Sequence, residues 1–274
     1  MKVLILSITA GQGHHTTGKA IMDEVKARGH ECEMIDTFKY INPILSESVA
    51  KGYLMSTIMT PAVYGNLYRL AEKKDKNDSK YSIAKLTNSI LALKLESYIE
   101  KYAPDYIICT HIFSAQVMTQ LKKHITTTSI GIITDFTIHP FWEDTDLDYY
   151  VTANERLSLQ AKKKEIPVSK LLPFGIPIND KFTHVHAKDY ARKQLGIADK
   201  NTIFVMSGSM GYGNVTKIIK QLDNMDLDFQ IVSVCGNNKS LKRKIDKMVM
   251  KKSIKNYGYA DNVDIIMDAA DCII

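Results

Sequence analysis

Short apolar runs alternate with longer amphipathic segments along this chain, and the alternation predicts its fold class. An apolar run of about four to eight residues is typical of a buried strand, whereas apolar positions recurring every three or four residues indicate a helix. Strand and helix in series predict an α/β protein with doubly wound parallel sheets. In the first part of the chain a helix is predicted over about 14–28, and strands over 2–8, 31–36, 106–110, 129–134 and 149–152.

A second series of the same kind follows in the last third of the chain. Because open parallel sheets bind ligands beyond the carboxyl ends of their strands, two such series predict two ligand-binding edges that share one crevice. Helices are predicted near 215–222 and 241–250, and strands over 202–207, 230–235 and 254–257.

Two prolines separate the two series. Pro173 and Pro177 flank Gly175, and this spacing favours an extended connector over a helix. The apolar run 271–274 is typical of the start of a further strand, so the second domain is expected to be incomplete. We therefore predict an N-terminal domain over 1–172, a connector over 173–180 and a C-terminal domain over 181–274.

Composition narrows the class of protein further. The chain has 274 residues, of which 45% are apolar and 24% charged, enough for two domains that each bury a core. No window reaches the roughly 18 apolar residues of a membrane-spanning helix, so any membrane contact is expected to be peripheral. The four cysteines lie far apart without a C-x-x-C pair, which suits a reducing cytosol and argues against a metal site.

The charge balance is modestly basic. A formal charge of +6 and a pI near 8.9 favour anionic partners such as an acidic lipid surface or a nucleotide. The same excess of lysine also fits a solvated face without a partner. No basic stripe is interleaved with aromatic residues, which argues against nucleic acid.

The glycine-rich turn ITAGQGHHTTGKA, residues 8–20, carries the first candidate chemistry. From Gly13 it matches the phosphate loop G-x-x-x-x-G-K-[ST] except at Ala20, where the hydroxyl that would bind magnesium is missing. The dinucleotide motif G-x-G-x-x-G fails as well, because Thr16 occupies its third glycine position. What remains is His14 at the start of a helix, whose amides and dipole lower its proton affinity and suit a neutral general base. The alternative is a histidine that only satisfies backbone groups at the helix start.

A segment over 42–76 has apolar residues at helix-like spacing with lysines beside them. Such a pattern is typical of a helix lying in a membrane interface. Pro61 is expected to divide it into two short helices. The alternative is a pair of helices that cover the N-terminal sheet.

Several blocks in a fixed order resemble those of the diacylglycerol glycosyltransferases, which include monogalactosyldiacylglycerol synthases and processive diacylglycerol glucosyltransferases. The likeness extends over nearly the whole chain. It implies a GT-B fold with an N-terminal domain for a lipid acceptor and a C-terminal domain for a UDP-sugar. The blocks are GQGH at 11–14, TDFTIHPFW at 134–142, GIPI at 175–178, SGSMGYG at 207–213, VCGN at 234–237, GYADN at 258–262 and MDAAD at 267–271.

The resemblance also implies roles for individual residues. His14 and Asp135 match the catalytic positions, although an Asp in that place is also common as a turn cap at a strand end. Trp142 would stack on a sugar or cover the core. The implied acceptor-binding residues are Gly11, Gly13, His139 and Trp142, and the implied donor-binding residues are Ser207, Gly208, Ser209, Gly211, Gly213, Cys235, Gly236, Asn237, Tyr259 and Ala260.

The implied function is transfer of a hexose from a UDP-sugar to diacylglycerol or monoglycosyldiacylglycerol, on the inner face of the cell membrane. The UDP-sugar is a co-substrate, and no cofactor or metal is expected. The family usually has paired glycines where this chain has Ser207 and Ser209, and the donor-gripping turn that follows a run like 271–274 in the family is absent. Glucose and galactose therefore both stay open. The alternatives are transfer to an undecaprenyl-linked cell-wall lipid and a noncatalytic nucleotide- or lipid-binding fragment, with the phosphate-loop hydrolase behind them.

Overall fold

Two parallel sheets, one in each of two units, organise the chain. A computed structural model describes residues 1–9, 12–41, 90–208 and 213–274. The units are Met1–Asp180 and Lys181–Ile274. All strand pairs of both sheets are parallel, which confirms the α/β class predicted from the alternation of apolar runs and amphipathic segments.

The first unit is built on a sheet of six strands, and its helices connect them. The strands are β1 (Lys2–Ser7), β2 (Glu31–Asp36), β3 (Tyr106–Cys109), β4 (Thr128–Ile132), β5 (Tyr149–Val151) and β6 (Leu171–Leu172). The helices are α1 (Gln12–Ala27), α2 (Thr37–Ile41), α3 (Ile90–Tyr102), α4 (Ile112–Leu121) and α5 (Ser158–Lys163), with 3-10 turns at Pro140–Asp144, Glu155–Leu157 and Val168–Lys170.

The strand order β2-β1-β3-β4-β5-β6 places β1 between β2 and β3. The chain therefore moves outward from β1 to β2 and then crosses back to the other side of β1. Such a reversal leaves a crevice at the carboxyl ends of the two strands on either side of it, where doubly wound proteins bind ligands. Leu4, Ile5 and Leu6 of β1 are fully buried, as expected of a strand covered on both faces.

Strand β4 lies under an aromatic residue that the resemblance had assigned to the acceptor. Trp142 is only 4% exposed, and its ring meets the Tyr150 ring edge to face at a centroid distance of 6.0 Å. It packs directly over Gly131, which has no side chain to displace it. The burial of Trp142 favours the second of the two predicted roles, in which the residue covers the core.

The second unit is built on a sheet of four strands. The strands are β7 (Thr202–Met206), β8 (Gln230–Val234), β9 (Ile254–Tyr257) and β10 (Cys272–Ile273), and their order is β10-β7-β8-β9. The reversal in this sheet falls between β7 and β10. The helices are α6 (Lys188–Leu195), α7 (Val215–Asp223), α8 (Lys239–Asp246) and α9 (Val263–Ala269), with a 3-10 turn at Asp180–Phe182.

The Asp271 carboxylate reinforces the pairing of β10 with β7. Asp271 accepts hydrogen bonds from the Lys188 ammonium, from Arg192 Nη2 at 2.7 Å and from the Thr202 backbone N–H at 2.8 Å. The pKa of Asp271 is lowered, chiefly by the hydrogen bond from Lys188. The first residues of the last strand are thereby anchored at the start of the first strand of this unit.

None of the helices within the described ranges combines the length and the apolar character needed to cross a bilayer. The segment over 42–76, predicted to lie in a membrane interface, falls entirely outside the described residues.

The close approach of Trp142 to Gly131 gives a test of the packing. A Cβ at Gly131 would lie 3.0 Å from the Trp142 ring and 3.2 Å from the Tyr150 ring, so we expect Gly131→Ala to lower the free energy of unfolding by about 1–3 kcal/mol. Gly13→Ala is the matched control, because a Cβ there meets nothing within 4 Å. Urea denaturation of both variants measures the difference. Equal stability of the two variants would contradict the packing described for Trp142.

Candidate functional site

The carboxyl ends of β1, β3 and β4 gather polar residues at one edge of the first sheet. Thr110 directly follows β3, and Thr134 follows β4 by two residues. Helix α1 starts beyond β1 at the same edge, and His14 is its third residue. The register Leu6↔Cys109↔Gly131 sets the three strand ends side by side. This is the edge at which the strand order reverses.

Among the described residues, His14 makes two hydrogen bonds, and Nδ1 is the atom involved in each. The atom lies 2.9 Å from the Thr110 carbonyl oxygen and 2.9 Å from the Thr134 hydroxyl oxygen. A carbonyl oxygen can only accept, so Nδ1 must carry the proton. The proton on Nδ1 leaves Nε2 with its lone pair, which is the form of the ring that can accept a proton from a substrate.

The surroundings keep this imidazole neutral. Burial lowers the pKa of His14 below its usual 6.5, and this effect outweighs the hydrogen bond to Thr110 and the charge of Asp135, which both raise it. The amides at the start of α1 act in the same direction as burial. At neutral pH the ring is therefore an available base.

Asp135 lies near His14 but does not orient it. The residue is exposed, and among the described residues the partners of His14 Nδ1 are Thr110 and Thr134. The orienting role considered for Asp135 is thus taken by the carbonyl and the hydroxyl, and Asp135 acts on His14 through its charge.

The other residues assigned to the acceptor side differ in their surroundings. His139 caps the 3-10 turn Pro140–Asp144, where its Nδ1 accepts a hydrogen bond from the Phe141 N–H at 3.2 Å. Gly13 is exposed with open space around it. Gly11 lies outside the described residues.

The structure adds His111, which the sequence analysis did not single out. It is 5% exposed, and its ring centroid lies 4.5 Å from that of His14 at an interplanar angle of 67°. Burial, with repulsion from His14 and His139, lowers the pKa of His111 to about 3. A signal was present in the sequence, since His111 follows the predicted strand 106–110 directly, at the edge where ligands bind.

In the second unit the carboxyl ends of three strands also lie side by side, and glycine backbone follows them. Met206 of β7 pairs with Val234 of β8, which pairs with Tyr257 of β9, so the three strands end level. The segments that follow these ends hold the residues assigned to the donor. Of these, Gly208, Gly213 and Gly236 have positive φ values of 63°, 108° and 56°. Side chains would strain such backbone, and glycine allows a ligand to approach it closely.

Helix α7 opens at this edge just after Gly213. Its N-cap residue, Asn214, makes no side-chain cap, and its carbonyl oxygen accepts a hydrogen bond from the Lys217 N–H at 2.9 Å. The start of a helix favours negative charge through its amides and dipole. Ser207 Oγ at the end of β7 is buried and has no hydrogen-bond partner within the described residues. Ser209 and Gly211 lie outside those residues.

The remaining donor residues separate into exposed and buried positions. Tyr259 is 60% exposed, Asn237 is exposed and Ala260 is half-buried. Cys235 is fully buried, and its Sγ lies 3.2 Å from Asn256 Oδ1. The Cys235 side chain points into the core of the unit, so the backbone of Cys235 is the part left for a contact with a donor.

The described ranges do not bring three or more His, Cys, Asp or Glu side chains together in the manner of a metal site. The first unit presents a neutral imidazole at the carboxyl ends of its strands, and the second unit presents glycine-rich backbone and the start of α7.

Comparison with known proteins identifies relatives of the whole chain. The family model described as monogalactosyldiacylglycerol (MGDG) synthase matches residues 14–178. A processive diacylglycerol beta-glucosyltransferase of Bacillus pumilus is 29% identical over 283 aligned positions, which cover 100% of this chain and 71% of the relative. The protein of the same name from Bacillus licheniformis is 28% identical and covers 99% of this chain and 71% of its own length.

Solved structures share the fold at low sequence identity. Anabaena HepE, crystallised in complex with UDP-glucose, superimposes with a TM-score of 0.59 at 11% identity, covering 100% of this chain and 73% of that one. Sucrose-phosphate synthase of Thermosynechococcus elongatus gives a TM-score of 0.58 at 11% identity, covering 99% and 74%. The GT-B fold, with a Rossmann-like parallel sheet in each unit, is thereby confirmed.

The hydrogen bonds of His14 predict a measurable titration. In protein labelled with ¹⁵N-histidine we expect His14 to carry its proton on Nδ1 at neutral pH and to titrate with a pKa below 6.5, whereas His111 titrates with a pKa of about 3. His14→Gln removes one signal and so assigns it. Because unfolding returns both rings to ordinary pKa values, stability should fall as the pH decreases below 6.5. A proton on Nε2, or titration of His14 above 6.5, would contradict the site described here.

Proposed function

The chain belongs to the monogalactosyldiacylglycerol synthase family, and from this membership we propose that it is a UDP-sugar-dependent hexosyltransferase that glycosylates diacylglycerol. The Bacillus relatives, aligned along the full chain, are named processive diacylglycerol beta-glucosyltransferases. Their name favours glucose as the hexose, and diacylglycerol or its monoglycosyl product as the acceptor. The observation that carries the catalytic part of the proposal is the contact between His14 Nδ1 and the Thr110 carbonyl.

His14 is the proposed general base. Its Nε2 holds a lone pair because Nδ1 donates to Thr110, and burial keeps the ring neutral at physiological pH. An alcohol is a weak nucleophile until its proton is removed, so a base fixed in one orientation accelerates attack by its oxygen. Asp135 stabilises the imidazolium once the proton has been transferred, since its negative charge favours the cation.

The reaction is a single displacement at the anomeric carbon of the hexose. The acceptor O–H bond breaks as its proton moves to Nε2 of His14, and the acceptor oxygen forms a bond to the anomeric carbon. The bond between that carbon and the phosphate oxygen breaks, and its electron pair leaves with UDP. One displacement inverts the configuration, so α-linked UDP-glucose gives a β-glucoside, in keeping with the name of the Bacillus relatives.

The edge of the second unit is the proposed donor site. The helix start of α7 and the glycine backbone at Gly208 and Gly213 suit the negative charge of a diphosphate. That negative charge grows as UDP departs. Backbone N–H groups that are already in place before the reaction therefore stabilise the transition state more than the ground state. The buried Ser207 hydroxyl adds one more hydrogen-bonding group there. Tyr259 is the proposed face for the uracil ring.

The acceptor is proposed to reach His14 from a membrane surface. Phe136, next to Asp135, is 73% exposed, and an apolar ring beside the base suits a substrate with acyl chains. The formal charge of +6 favours an anionic lipid surface, and we place the enzyme on the inner face of the cell membrane. Gly13 and His139 lie on this acceptor side of the proposed site.

The activity is tested with labelled UDP-glucose and vesicles of diacylglycerol in phosphatidylglycerol. We expect labelled glycolipid from the native protein and a rate about 10²–10⁴-fold lower from His14→Gln, in which the amide still donates to Thr110 but no base is present. His15→Gln is the matched control, because it changes the adjacent histidine and should retain the activity. Pelleting with the same vesicles should decrease as salt is added.

Three results would overturn parts of this proposal. Label in a polyprenyl-linked lipid, with none in diacylglycerol, would move the acceptor to the cell-wall class. Faster transfer from UDP-galactose than from UDP-glucose would identify galactose, and not glucose, as the hexose. Absence of any labelled lipid, with UDP still bound, would favour a noncatalytic binding protein.

The donor edge has its own test in the binding of UDP. Stacking of an aromatic ring on a base contributes about 1–3 kcal/mol, so we expect Tyr259→Ala to weaken UDP binding roughly tenfold or more by isothermal titration calorimetry. Tyr190→Ala is the control, because Tyr190 is a similarly exposed tyrosine on α6 of the same unit. Equal losses in both variants, or none in Tyr259→Ala, would remove Tyr259 from the donor site.

A further inference from the structure

The His111 ring packs against the ring of the proposed base and belongs to a row of aromatic side chains. Its centroid lies 4.5 Å from His14 on one side and 5.1 Å from Phe113 on the other. Phe113 in turn lies 5.7 Å from Phe38 of α2. His14 is therefore the end of a row of rings whose other members belong to α4, its N-cap and α2. The His14 ring packs on that side against side chains that these helices hold in place.

The tautomer of His111 is fixed by the backbone. Its Nδ1 accepts a hydrogen bond from the Phe113 N–H at 3.1 Å, which caps α4 and leaves the proton on Nε2. The titratable groups that face His111 are His14 and His139, and both oppose a positive charge on it. The ring consequently presents the same neutral surface to His14 throughout the physiological pH range.

Three contacts then restrain the His14 imidazole. The Thr110 carbonyl and the Thr134 hydroxyl hold Nδ1, and the His111 ring packs edge to face against the ring itself. Hydrogen bonds at one nitrogen alone leave the imidazole able to tilt about that atom. A ring packed beside it removes this freedom and excludes water from that side.

We propose that His111 is a positioning residue for this reaction: its buried ring fixes the orientation of the His14 imidazole and shields it from water. The inference rests on the proposed function, because it takes His14 as the base. His111 itself does not touch the acceptor in this account, and its effect is exerted through His14. Of the influences on the charge of His14, burial opposes the cation, and the Thr110 carbonyl and Asp135 favour it.

Two substitutions separate the ring of His111 from its cap. His111→Asn keeps a side-chain oxygen that can accept from the Phe113 N–H but removes the ring. His111→Phe keeps a ring of similar size but removes the cap. A role limited to the stability of α4 predicts that Phe is the worse substitution, whereas a role in positioning His14 predicts that Asn is worse.

The two variants are measured by steady-state kinetics over pH and by ¹⁵N-histidine titration. For His111→Asn we expect kcat to fall about tenfold with KM for UDP-glucose unchanged, and the acid limb of kcat to move up toward pH 6.5 as water reaches His14. For the conservative His111→Phe we expect a lower Tm but an acid limb and a His14 titration close to the native ones. Thr119→Val on the far part of α4 serves as a control for general effects on that helix.

An unchanged His14 titration in His111→Asn would overturn the inference, and so would an equal shift of that titration in both variants. If His111→Asn fails to fold, His111→Phe alone tests the inference. The inference requires the acid limb of kcat in that variant to stay close to the native one, and a shifted limb would overturn it. The NMR readout is independent of glycolipid synthesis. Native protein that forms no glycolipid, yet shows the predicted titrations, would sink the proposed function and leave the positioning of His14 by His111 intact.

Discussion

The hydrogen bond between His14 Nδ1 and the Thr110 carbonyl is the contact on which the account depends. It joins residues 96 positions apart, one at the start of α1 and the other at the end of β3. The two meet because β1 and β3 are neighbours at the place where the strand order reverses. A carbonyl oxygen accepts and cannot donate, so this contact decides which ring nitrogen carries the proton. The topology of the sheet therefore sets the chemical form of the side chain.

Burial and charge act against each other around this ring. Burial, and the amides of α1, oppose a positive charge on His14, whereas Asp135 and the Thr110 carbonyl favour it. A base needs both influences, because it must be neutral before the reaction and a stable cation after it. The donor site proposed for the second unit would hold charge differently, through helix amides and glycine backbone at Gly208 and Gly213. Such backbone groups accept negative charge without an ionised side chain.

The sequence predicted the elements well and the contacts of the site less well. Strands Glu31–Asp36 and Ile254–Tyr257 begin and end as predicted although both are only partly buried, because the alternation of strand and helix along the chain places a strand at each. Strand Leu171–Leu172 was not predicted, because a two-residue strand exists only through its pairing with Tyr150 and Val151. The sequence left two roles for Trp142, stacking on a sugar or covering the core. Its burial depends on Gly131, a neighbour in space that no local sequence pattern reveals. His111 escaped for the same reason, as its contact with His14 requires the packed sheet.

The central claim is that a neutral His14 removes the acceptor proton, and the pH dependence of kcat/KM for UDP-glucose tests it most directly. We predict one acid limb whose pKa lies below 6.5 and agrees with the titration of His14 observed by NMR. The limb should be missing from the residual activity of His14→Gln. An acid limb above 6.5, or one that persists unchanged in His14→Gln, would contradict the assignment of His14 as the base.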